Sequence, residues 1–405
     1  MNGQQHVMSA STPTESPMAV RDTFLPFHKP WIDDDDIKEV VDTLRSGWLT
    51  MGPKTLRFEE EFARYVGARH AVAVNSCTAG LHLALDVIGI QPGDEVITSV
   101  YTFASTAAVI LHHKARPVLA DVRPDTLTID PAEIERKLTP RTRAIMPVHM
   151  AGLPCEMDRI LELAADHDVR VIEDAAHAVP ARYKGRTVGS IGDLTVFSFY
   201  ATKTVTTGEG GMVTTEHDDY AALLRTRRLH GMNRDAWKRY SAEGSWYYEV
   251  SYPGYKFNMT DLNAALGLQQ LRKSDMFHAL RAYYAKLYQL GLSDLPELKL
   301  PDTSPESQHA WYLYIIQLQL GRLTIDRSAF IQLLREENIG ASVHFIPLHL
   351  HPYYRETFGY RPEDFPNALQ AYRGAVSLPL YPGMTEADVW DVIAAVRRII
   401  ERHRA

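Results

Sequence analysis

The sequence predicts an α/β protein whose mostly parallel sheet is covered by helices, followed by a smaller α+β domain. Between about residues 70 and 200, short apolar runs alternate with helical patterns, which is typical of successive βαβ units. The apolar runs are nearly continuous in Val, Ile and Ala, as expected for strands buried on both faces of a sheet. After about residue 260 the chain changes to long helices and short strands, which indicates a second unit.

The first unit is predicted to begin with a helix in WIDDDDIKEVVDTLRSG, which starts at Trp31. Four aspartates, at positions 33–36, lie at the start of this helix, where the dipole favours negative charge. We interpret them as a solvated first turn, with an acidic binding site as the alternative. The predicted strands that follow are HAVAVNS (70–76), DEVITSV (94–100), RPVLADV (116–122), RAIMPVHM (143–150) and VRVIEDAA (169–176), and the predicted helices between them are AGLHLALDVIG (79–89), ASTAAVILHH (104–113) and EMDRILELAADHD (156–168).

The second unit is predicted to follow a long helical stretch, TDLNAALGLQQLRKSDMFHALRAYYAKLYQLGL, that begins at Thr260. Beyond it, short strands mix with helices such as DRSAFIQLLREENI and TEADVWDVIAAVRRIIERH. At the other end, the first residues are polar and rich in Ser, Thr and Pro, which is typical of a disordered tail. The sequence therefore predicts a disordered tail (1–22), a large domain (23–265), and a connecting helix with a smaller C-terminal domain (266–405).

Composition narrows the class of protein. The 405 residues carry a formal net charge of −7 and no basic run, which argues against nucleic acid or an anionic membrane as the main partner. The two cysteines form neither a disulfide framework nor a CxxC metal spacing, which favours a reducing, cytoplasmic location. The N-terminal stretch lacks the pattern of a signal peptide, and no apolar run is long enough to span a bilayer.

Polar and reactive side chains collect where the predicted strands end. Ligands of parallel α/β sheets bind at the carboxyl ends of strands, so these side chains are expected to share one site. An acid, an amine, an aromatic ring and a helix start suited to phosphate all occur there. The strand-end residues are Asp174 and His177, Ser76 to Thr78, Tyr101 and Phe103, and Ser198 with the following Lys203.

Each of these residues has an ordinary structural interpretation when it is taken alone. The helix start after Cys77 offers free N–H groups and the positive end of a dipole, but it could be a plain βα turn capped by Ser or Thr. Phe103 could be a core residue, His177 a hydrogen-bonded structural histidine and Lys203 a surface lysine. Together they fit one cofactor. Pyridoxal phosphate needs a lysine for a Schiff base, an acid facing its ring nitrogen, a phosphate cup and a ring-stacking partner.

Longer segments of the chain resemble one enzyme family. SFYATKTVTTGEGGMVTT resembles the lysine loop of the nucleotide-sugar aminotransferases, the DegT-type family of pyridoxal-phosphate enzymes of fold type I. VHMAGLPCEMDRILELAADHDVRVIEDAAHA resembles the family's acid-bearing segment, and the ending SLPLYPGMTEADVWDVIAAV also matches. The resemblance covers nearly the whole chain. It implies the PLP-dependent transferase fold type I, with a pyridoxal 5'-phosphate cofactor.

The resemblance implies roles for the matched residues. Lys203 would bind the cofactor as a Schiff base and then carry protons between the substrate carbon and the cofactor carbon. Asp174 would pair with the ring nitrogen, and His177 would lie near the cofactor's phenolic oxygen, where many members carry Gln. The ring-stacking and phosphate-binding positions match Phe103 for the ring and Cys77, Thr78 and Ser198 for the phosphate.

Fold type I enzymes of this kind resemble obligate homodimers with shared active sites. Many members carry GYNYR where this chain reads GYKFN, so that Lys256 stands at the place of an asparagine that reaches the partner's phosphate. We expect Asn258 to take that role, with Lys256 nearby. Trp48, Thr50 and Glu209 are expected on the sugar side.

Three histidines in VHFIPLHLHPYY, at positions 344, 349 and 351, leave two interpretations open. They could bind a metal, but no nearby cysteine or acidic pair completes a metal site. The segment resembles the family's late loop, so we prefer a substrate-side role for His344 and His349 and predict no metal.

The predicted function is transfer of an amino group from L-glutamate to a nucleotide-linked keto sugar, of which a UDP- or dTDP-linked 4-keto-6-deoxy sugar fits best. A sugar dehydratase on the same fold is the alternative enzyme. In such enzymes the lysine is typically replaced by histidine or iron–sulfur cysteines are added, whereas this chain keeps Lys203. A non-catalytic sensing module would be expected to lose Lys203 or Asp174. An aminotransferase for amino acids alone fits the lysine loop less well.

Overall fold

A seven-stranded sheet forms the centre of the first unit in the computed structural model, which describes residues 20–232, 247–302 and 304–405. The strands lie in the order β1-β9-β8-β5-β4-β2-β3, and only β9 runs antiparallel to its neighbours. The predicted α/β class with a mostly parallel sheet is therefore confirmed. The strands of this unit are β1 (His70–Val74), β2 (Glu95–Ser99), β3 (Arg116–Ala120), β4 (Thr142–Met146), β5 (Arg170–Asp174), the short β6 (Arg182–Tyr183) and β7 (Arg186–Thr187), β8 (Leu194–Ser198) and β9 (Gly211–Thr215).

Helices cover both faces of this sheet. Side chains alternate along a strand, so Val72 and Val74 of β1 pack into one cluster while Ala71 and Ala73 pack into another on the opposite face. The first cluster contains side chains of α3, α4 and α7, and the opposite face is covered by α2, α5, α6 and α8. The bounds are α1 (Asp34–Ser46), α2 (Pro53–Val66), α3 (Cys77–Val87), α4 (Ala104–His112), α5 (Pro131–Lys137), α6 (Met157–His167), α7 (Asp218–Arg227) and α8 (Asp261–Arg272).

The second unit packs helices against a three-stranded antiparallel sheet in the order β10-β12-β13. Its core contains Tyr288, Tyr314, Phe330 and Val392, all fully buried. The short β11 (Ser307–Gln308) pairs instead with β6 of the first unit. The other elements are α9 (Ser274–Leu292), β10 (Leu298–Lys299), β12 (Tyr314–Leu318), α10 (Arg327–Glu336), α11 (Pro352–Phe358), α12 (Pro366–Gly374), β13 (Ala375–Leu378) and α13 (Glu386–His403).

Three predictions about elements need correction. The strand predicted at 143–150 ends at Met146, because Pro147 has no N–H to donate to the sheet. The long helical stretch divides at Lys273, whose amide bonds to the carbonyl of Gln270, so the chain tightens there and α9 starts anew. The aspartate run is not a solvated turn throughout. Asp36 is fully buried, with its Oδ2 2.5 Å from the Nζ of Lys273.

The predicted domain boundaries stay predictions. Most of the predicted disordered tail, residues 1–19, lies outside the described residues. Leu25 packs into the core of the second unit and exchanges backbone hydrogen bonds with Asn338 and Gly340, so the described chain starts against that unit. None of the described helices is both long and apolar enough to cross a membrane.

Candidate active site

A cavity of about 480 Å³ opens at the carboxyl ends of β1, β5 and β8. This is the edge of a parallel sheet at which ligands bind, and loops from the second unit close its other side. The sequence-predicted residues that line the cavity are Ser76, Cys77, Thr78, Phe103, Asp174, His177, Ser198, Lys203, Glu209 and His344. The structure thus brings most of the predicted site into one place.

Asp174 is the last residue of β5, and its side chain is buried at the cavity. Its carboxylate accepts hydrogen bonds from the Oγ1 of Thr106 (2.8 Å) and from the amide of Ala176 (3.2 Å). Burial raises the pKa of Asp174 above its usual value, while these bonds and the charge of Lys203 lower it. The site therefore holds one acid in a fixed orientation, and a cation at the cavity would keep it ionised.

Lys203 lies in the loop that follows β8, half-buried and facing the same cavity. Its amide donates to the carbonyl of Tyr200 (2.9 Å), which makes a tight turn of the chain after the strand. Its Nζ lies 4.4 Å from the centroid of the Tyr312 ring. The neighbouring Thr202 Oγ1 is hydrogen-bonded to the Tyr312 hydroxyl at 3.1 Å. Contacts with the second unit thus direct this lysine towards the cavity.

The start of α3 supplies backbone donors to the cavity. Ser76 caps the helix, since its Oγ accepts a hydrogen bond from the amide of Ala79 at 3.1 Å. Cys77 and Thr78 are the first helical residues, so no preceding helical turn accepts from their amides. Burial raises the pKa of the Cys77 thiol well above its usual value, so the thiol stays protonated. The contribution of Cys77 to an anion site is therefore its backbone amide.

Gly211 makes the cup around this helix start possible. It is the first residue of β9, and it pairs with Val74 on one side and with Ser198 on the other. A Cβ at Gly211 would lie 2.7 Å from the backbone of Ser76 and 2.8 Å from the amide nitrogen of Cys77. Only glycine lets β9 approach the helix start this closely.

Rings from both units surround the remaining part of the cavity. His177 is buried and stacks on Tyr312 with 4.4 Å between ring centroids, and its Nδ1 has no hydrogen-bond partner among the described residues. Burial and the charge of Lys203 hold the pKa of His177 well below its usual value, so the ring is neutral. The same causes lower the pKa of His344 to about 4. Phe103 is 59% exposed, which leaves its ring free to stack on a ligand.

The residues at this site that the sequence reasoning missed include Thr106, Tyr312 and Phe345. Thr106 lies one helical turn after Phe103, so its spacing was a usable signal. Tyr312 and Phe345 come from the second unit and reach His177 only through the folding of the whole chain. No local pattern points to them.

Other predicted residues lie away from the cavity in the single chain. Lys256 donates to the Oδ1 of Asn258 at 2.6 Å, and Asn258 pairs with the end of β1. Trp48 donates through Nε1 to the carbonyl of Met51, and neither Trp48 nor Thr50 lines the cavity.

The loop histidines have separate surroundings. His349 is fully buried against Phe365, and its Nε2 lies 3.1 Å from the carbonyl of Pro362, so it does not reach the cavity. His344 does line the cavity, and its Nδ1 is hydrogen-bonded to Ser377. Within the described ranges, no group of three or more His, Cys, Asp and Glu side chains is placed to hold a metal ion.

These residues fit pyridoxal phosphate. The cradle that a Cβ at Gly211 would fill suits a phosphate, and the buried carboxylate of Asp174 suits a protonated ring nitrogen. The unpartnered Nδ1 of His177 is a further polar atom available to the ligand. Lys203 lies within the same cavity.

Comparison with known proteins decides the family. The sequence model of the DegT/DnrJ/EryC1/StrS aminotransferase family matches residues 30–397. The chain belongs to this family. The predicted family, the predicted fold class and the prediction of an aminotransferase are therefore confirmed.

Relatives of this DegT-family chain include proteins of sugar metabolism. The spore coat polysaccharide biosynthesis protein SpsC of Bacillus subtilis is 54% identical over 94% of this chain and 98% of its own length. The putative sugar aminotransferase Spr1654 of Streptococcus pneumoniae, in its PMP-form, superposes with a TM-score of 0.88 at 33% identity, covering 93% of this chain and 99% of that one. PseC of Helicobacter pylori, an aminotransferase involved in the biosynthesis of pseudoaminic acid, has a TM-score of 0.88 at 28% identity, covering 94% and 100%.

Proposed function

We propose that this sugar aminotransferase moves an amino group from L-glutamate to the keto group of a nucleotide-linked sugar. A UDP- or dTDP-linked 4-keto-6-deoxy sugar is the substrate that we propose within this class. The observation that carries the proposal is the convergence of Lys203, Asp174 and the start of α3 on one cavity. The names of SpsC and Spr1654, which refer to polysaccharide biosynthesis and to a sugar aminotransferase, support the substrate class.

The cofactor is pyridoxal phosphate, as the sequence predicts. Spr1654 has been solved in a PLP-form as well as a PMP-form, and the former superposes on this chain with a TM-score of 0.87 at 32% identity. When bound, the cofactor supplies an aldehyde that takes up the amino group and a protonated ring that withdraws electrons from the substrate carbon.

The chain's own residues divide the remaining work. The Nζ of Lys203 would hold the cofactor and then move the proton of the glutamate α-carbon to the cofactor carbon. In the second half-reaction it would move a proton from the cofactor carbon to the sugar carbon. Asp174 stays ionised and keeps the ring nitrogen protonated. The amides of Cys77 and Thr78, with Ser198, bind the phosphate. Phe103 stacks on the ring at the open side of the cavity.

The sugar side is proposed from the residues at the cavity opening. Glu209 lines the cavity and is exposed, and the neutral ring of His344 can exchange hydrogen bonds with sugar hydroxyls. We propose a cytoplasmic homodimer in which Lys256 and Asn258 serve the phosphate of the other copy, with Trp48 and Thr50 towards its sugar side. This arrangement would give a role to the predicted residues that lie away from the cavity of their own chain.

Visible absorbance tests the function. The purified protein with pyridoxal phosphate should be yellow, should lose this absorbance when L-glutamate is added, and should regain it with a nucleotide-linked keto sugar. Lys203→Ala should bind the cofactor with the absorbance of the free aldehyde and without the longer-wavelength band of the Schiff base. Lys286→Ala changes an exposed lysine on α9 and serves as the matched control, with the spectra of the wild type. A panel of UDP- and dTDP-linked keto sugars then identifies the substrate.

The same measurement separates the alternatives. If the wild type turns yellow but L-glutamate changes nothing, the donor half-reaction is wrong and a dehydratase becomes the better hypothesis. If the longer-wavelength band of the Schiff base does not form, Lys203 does not bind the cofactor covalently, and a non-catalytic sensing module fits better.

A further inference from the structure

Behind Asp174, two threonine hydroxyls form a short buried chain. The Oγ1 of Thr106 lies 2.8 Å from the Oδ2 of Asp174, and the Oγ1 of Thr102 lies 2.8 Å from that of Thr106. Thr106 is fully buried and Thr102 is 2% exposed. Thr102 precedes α4, Phe103 is the N-cap residue of this helix, and Thr106 lies in its first turn. One turn of this helix therefore presents an aromatic ring to the cavity and a hydroxyl to the acid.

The donors along this chain follow from the charge of Asp174. An ionised carboxylate only accepts hydrogen bonds, so Thr106 must give its single proton to Asp174. Thr106 can then only accept from Thr102, which fixes the direction of both hydroxyls. A protonated Asp174 could instead donate to Thr106, which would reverse the chain. The direction of the two hydroxyls thus depends on whether the acid is charged.

We propose that Thr106, supported by Thr102, is a positioning residue that keeps Asp174 ionised and directs it at the ring nitrogen of the cofactor. This inference rests on the proposed function, because it assumes that Asp174 meets a protonated ring nitrogen. Among the described residues, the carboxylate also accepts from the amide of Ala176 at 3.2 Å, a longer bond than that from Thr106. Thr106 therefore makes the shorter of the two contacts that oppose the effect of burial on this acid.

Valine tests the hydroxyl with little change in shape. Thr106→Val removes the donor, and Thr106→Ser keeps it. Thr98→Val is the matched control, because Thr98 is also fully buried and its Oγ1 donates to the carbonyl of Met146 (2.7 Å), away from Asp174. A general loss of packing or hydrogen bonding would affect Thr98→Val in the same way as Thr106→Val.

The first readout is the urea midpoint of the cofactor-free protein at about pH 5 and about pH 8. Without the hydroxyl of Thr106, Asp174 is harder to ionise. The urea midpoint of Thr106→Val should therefore lie further below that of the wild type at the higher pH. Thr106→Ser should follow the wild type, and Thr98→Val should show the same deficit at both pH values. In an Asp174→Asn background, the pH-dependent part of the Thr106→Val effect should disappear.

The second readout is cofactor affinity by titration. Thr106→Val should bind pyridoxal phosphate about tenfold more weakly, the size of effect expected for a hydrogen bond to a charged group. The analogue with carbon in place of the ring nitrogen should bind both proteins alike, since it has no N–H for Asp174. Should Thr106→Val fail to fold, Thr102→Val should show the same pattern with a smaller loss.

The proposal would be overturned if Thr106→Val lost equal affinity for pyridoxal phosphate and for its carbon analogue. It would also be overturned if the urea midpoint of Thr106→Val were lowered equally at both pH values, as in Thr98→Val. Neither readout requires transamination. If L-glutamate does not react with the wild type, the proposed function fails, while the midpoint and affinity differences still decide the role of Thr106.

Discussion

The ionised carboxylate of Asp174 destabilises the folded protein when no cofactor is bound. Its carboxylate is buried, and burial raises its pKa, so the folded protein binds this proton more tightly than the unfolded chain does. Stability is therefore lost as pH rises from about 4, the value in an unfolded chain, through the higher folded pKa. Under the proposed role of Asp174, a bound cofactor with a positive ring nitrogen would remove this penalty.

We therefore expect Asp174→Asn to stabilise the cofactor-free protein at neutral pH, by about 1.4 kcal/mol for each unit by which the pKa is raised. The gain should vanish in acid, where the wild-type carboxyl is protonated. Pyridoxal phosphate should then stabilise the variant less than it stabilises the wild type. Thermal unfolding with and without cofactor, at two pH values, measures both effects. A variant that is less stable than the wild type at neutral pH without cofactor would contradict this expectation.

Gly211 gives a second prediction at the scale of one residue. In Gly211→Ala the new Cβ meets the backbone of Ser76, so β9 or α3 must move. We expect a loss of about 1–3 kcal/mol of stability, as for other overpacked sites, together with weaker binding of pyridoxal phosphate. Gly321→Ala is the control, because nothing lies within 4 Å of its Cβ position. Denaturation and cofactor titration of both variants provide the test. Equal stability and equal cofactor affinity in the two variants would argue against a phosphate cup that depends on Gly211.

At the scale of elements, the junction of α8 and α9 depends on the contact between Lys273 and the start of α1. The Nζ of Lys273 lies 2.5 Å from the buried carboxylate of Asp36 and 2.9 Å from the partly exposed carboxylate of Asp33. Removing one partner of a buried pair leaves an uncompensated charge. This contact therefore joins the first helix to the place where the chain leaves the first unit.

We expect Lys273→Ala to lower the free energy of unfolding by about 3 kcal/mol. Arg57→Ala breaks an exposed pair with Glu61 and should cost less than about 0.5 kcal/mol. Urea denaturation compares the two variants at one ionic strength. If both variants lost a similar free energy of unfolding, the buried contact of Lys273 would stabilise the protein no more than an exposed ion pair does.

The sequence predicts most elements and the strand-end part of the site, because the spacing of apolar residues, the length of a strand and the residues of a turn are local properties. Asp174 and Cys77 could be placed in this way. The division at Lys273 could not, since the partner of that residue is Asp36, far along the chain. Thr106 was within reach of the reasoning, whereas Tyr312 was not, because it precedes β12 in the second unit and reaches the site only through the folding of the whole chain.

At the scale of the whole molecule, Tyr312 joins the two units at the active site. Its ring contacts Lys203 and stacks on His177, both from the first unit. The second unit therefore takes part in placing the lysine, in addition to closing the cavity.

We expect Tyr312→Leu to weaken cofactor binding by about 0.5–2 kcal/mol, because it removes the ring beneath the cation of Lys203. Tyr312→Phe keeps the ring and loses only the bond to Thr202, so its affinity should stay close to that of the wild type. Titration with pyridoxal phosphate compares the three proteins. If Tyr312→Phe and Tyr312→Leu weaken cofactor binding equally, the hydroxyl of Tyr312 matters more than its ring.

The sheet order has a consequence for synthesis of the chain. β1 is the first strand of this sheet to leave the ribosome, yet its neighbour is β9, the last. During translation its edge stays unpaired while every other strand of the sheet is made, and unpaired edges promote association with other chains. The phosphate cup between β1 and β9 cannot form earlier either. A growing chain therefore cannot use the cofactor to stabilise its early fold, and the edge of that first strand stays exposed until Gly211 has emerged.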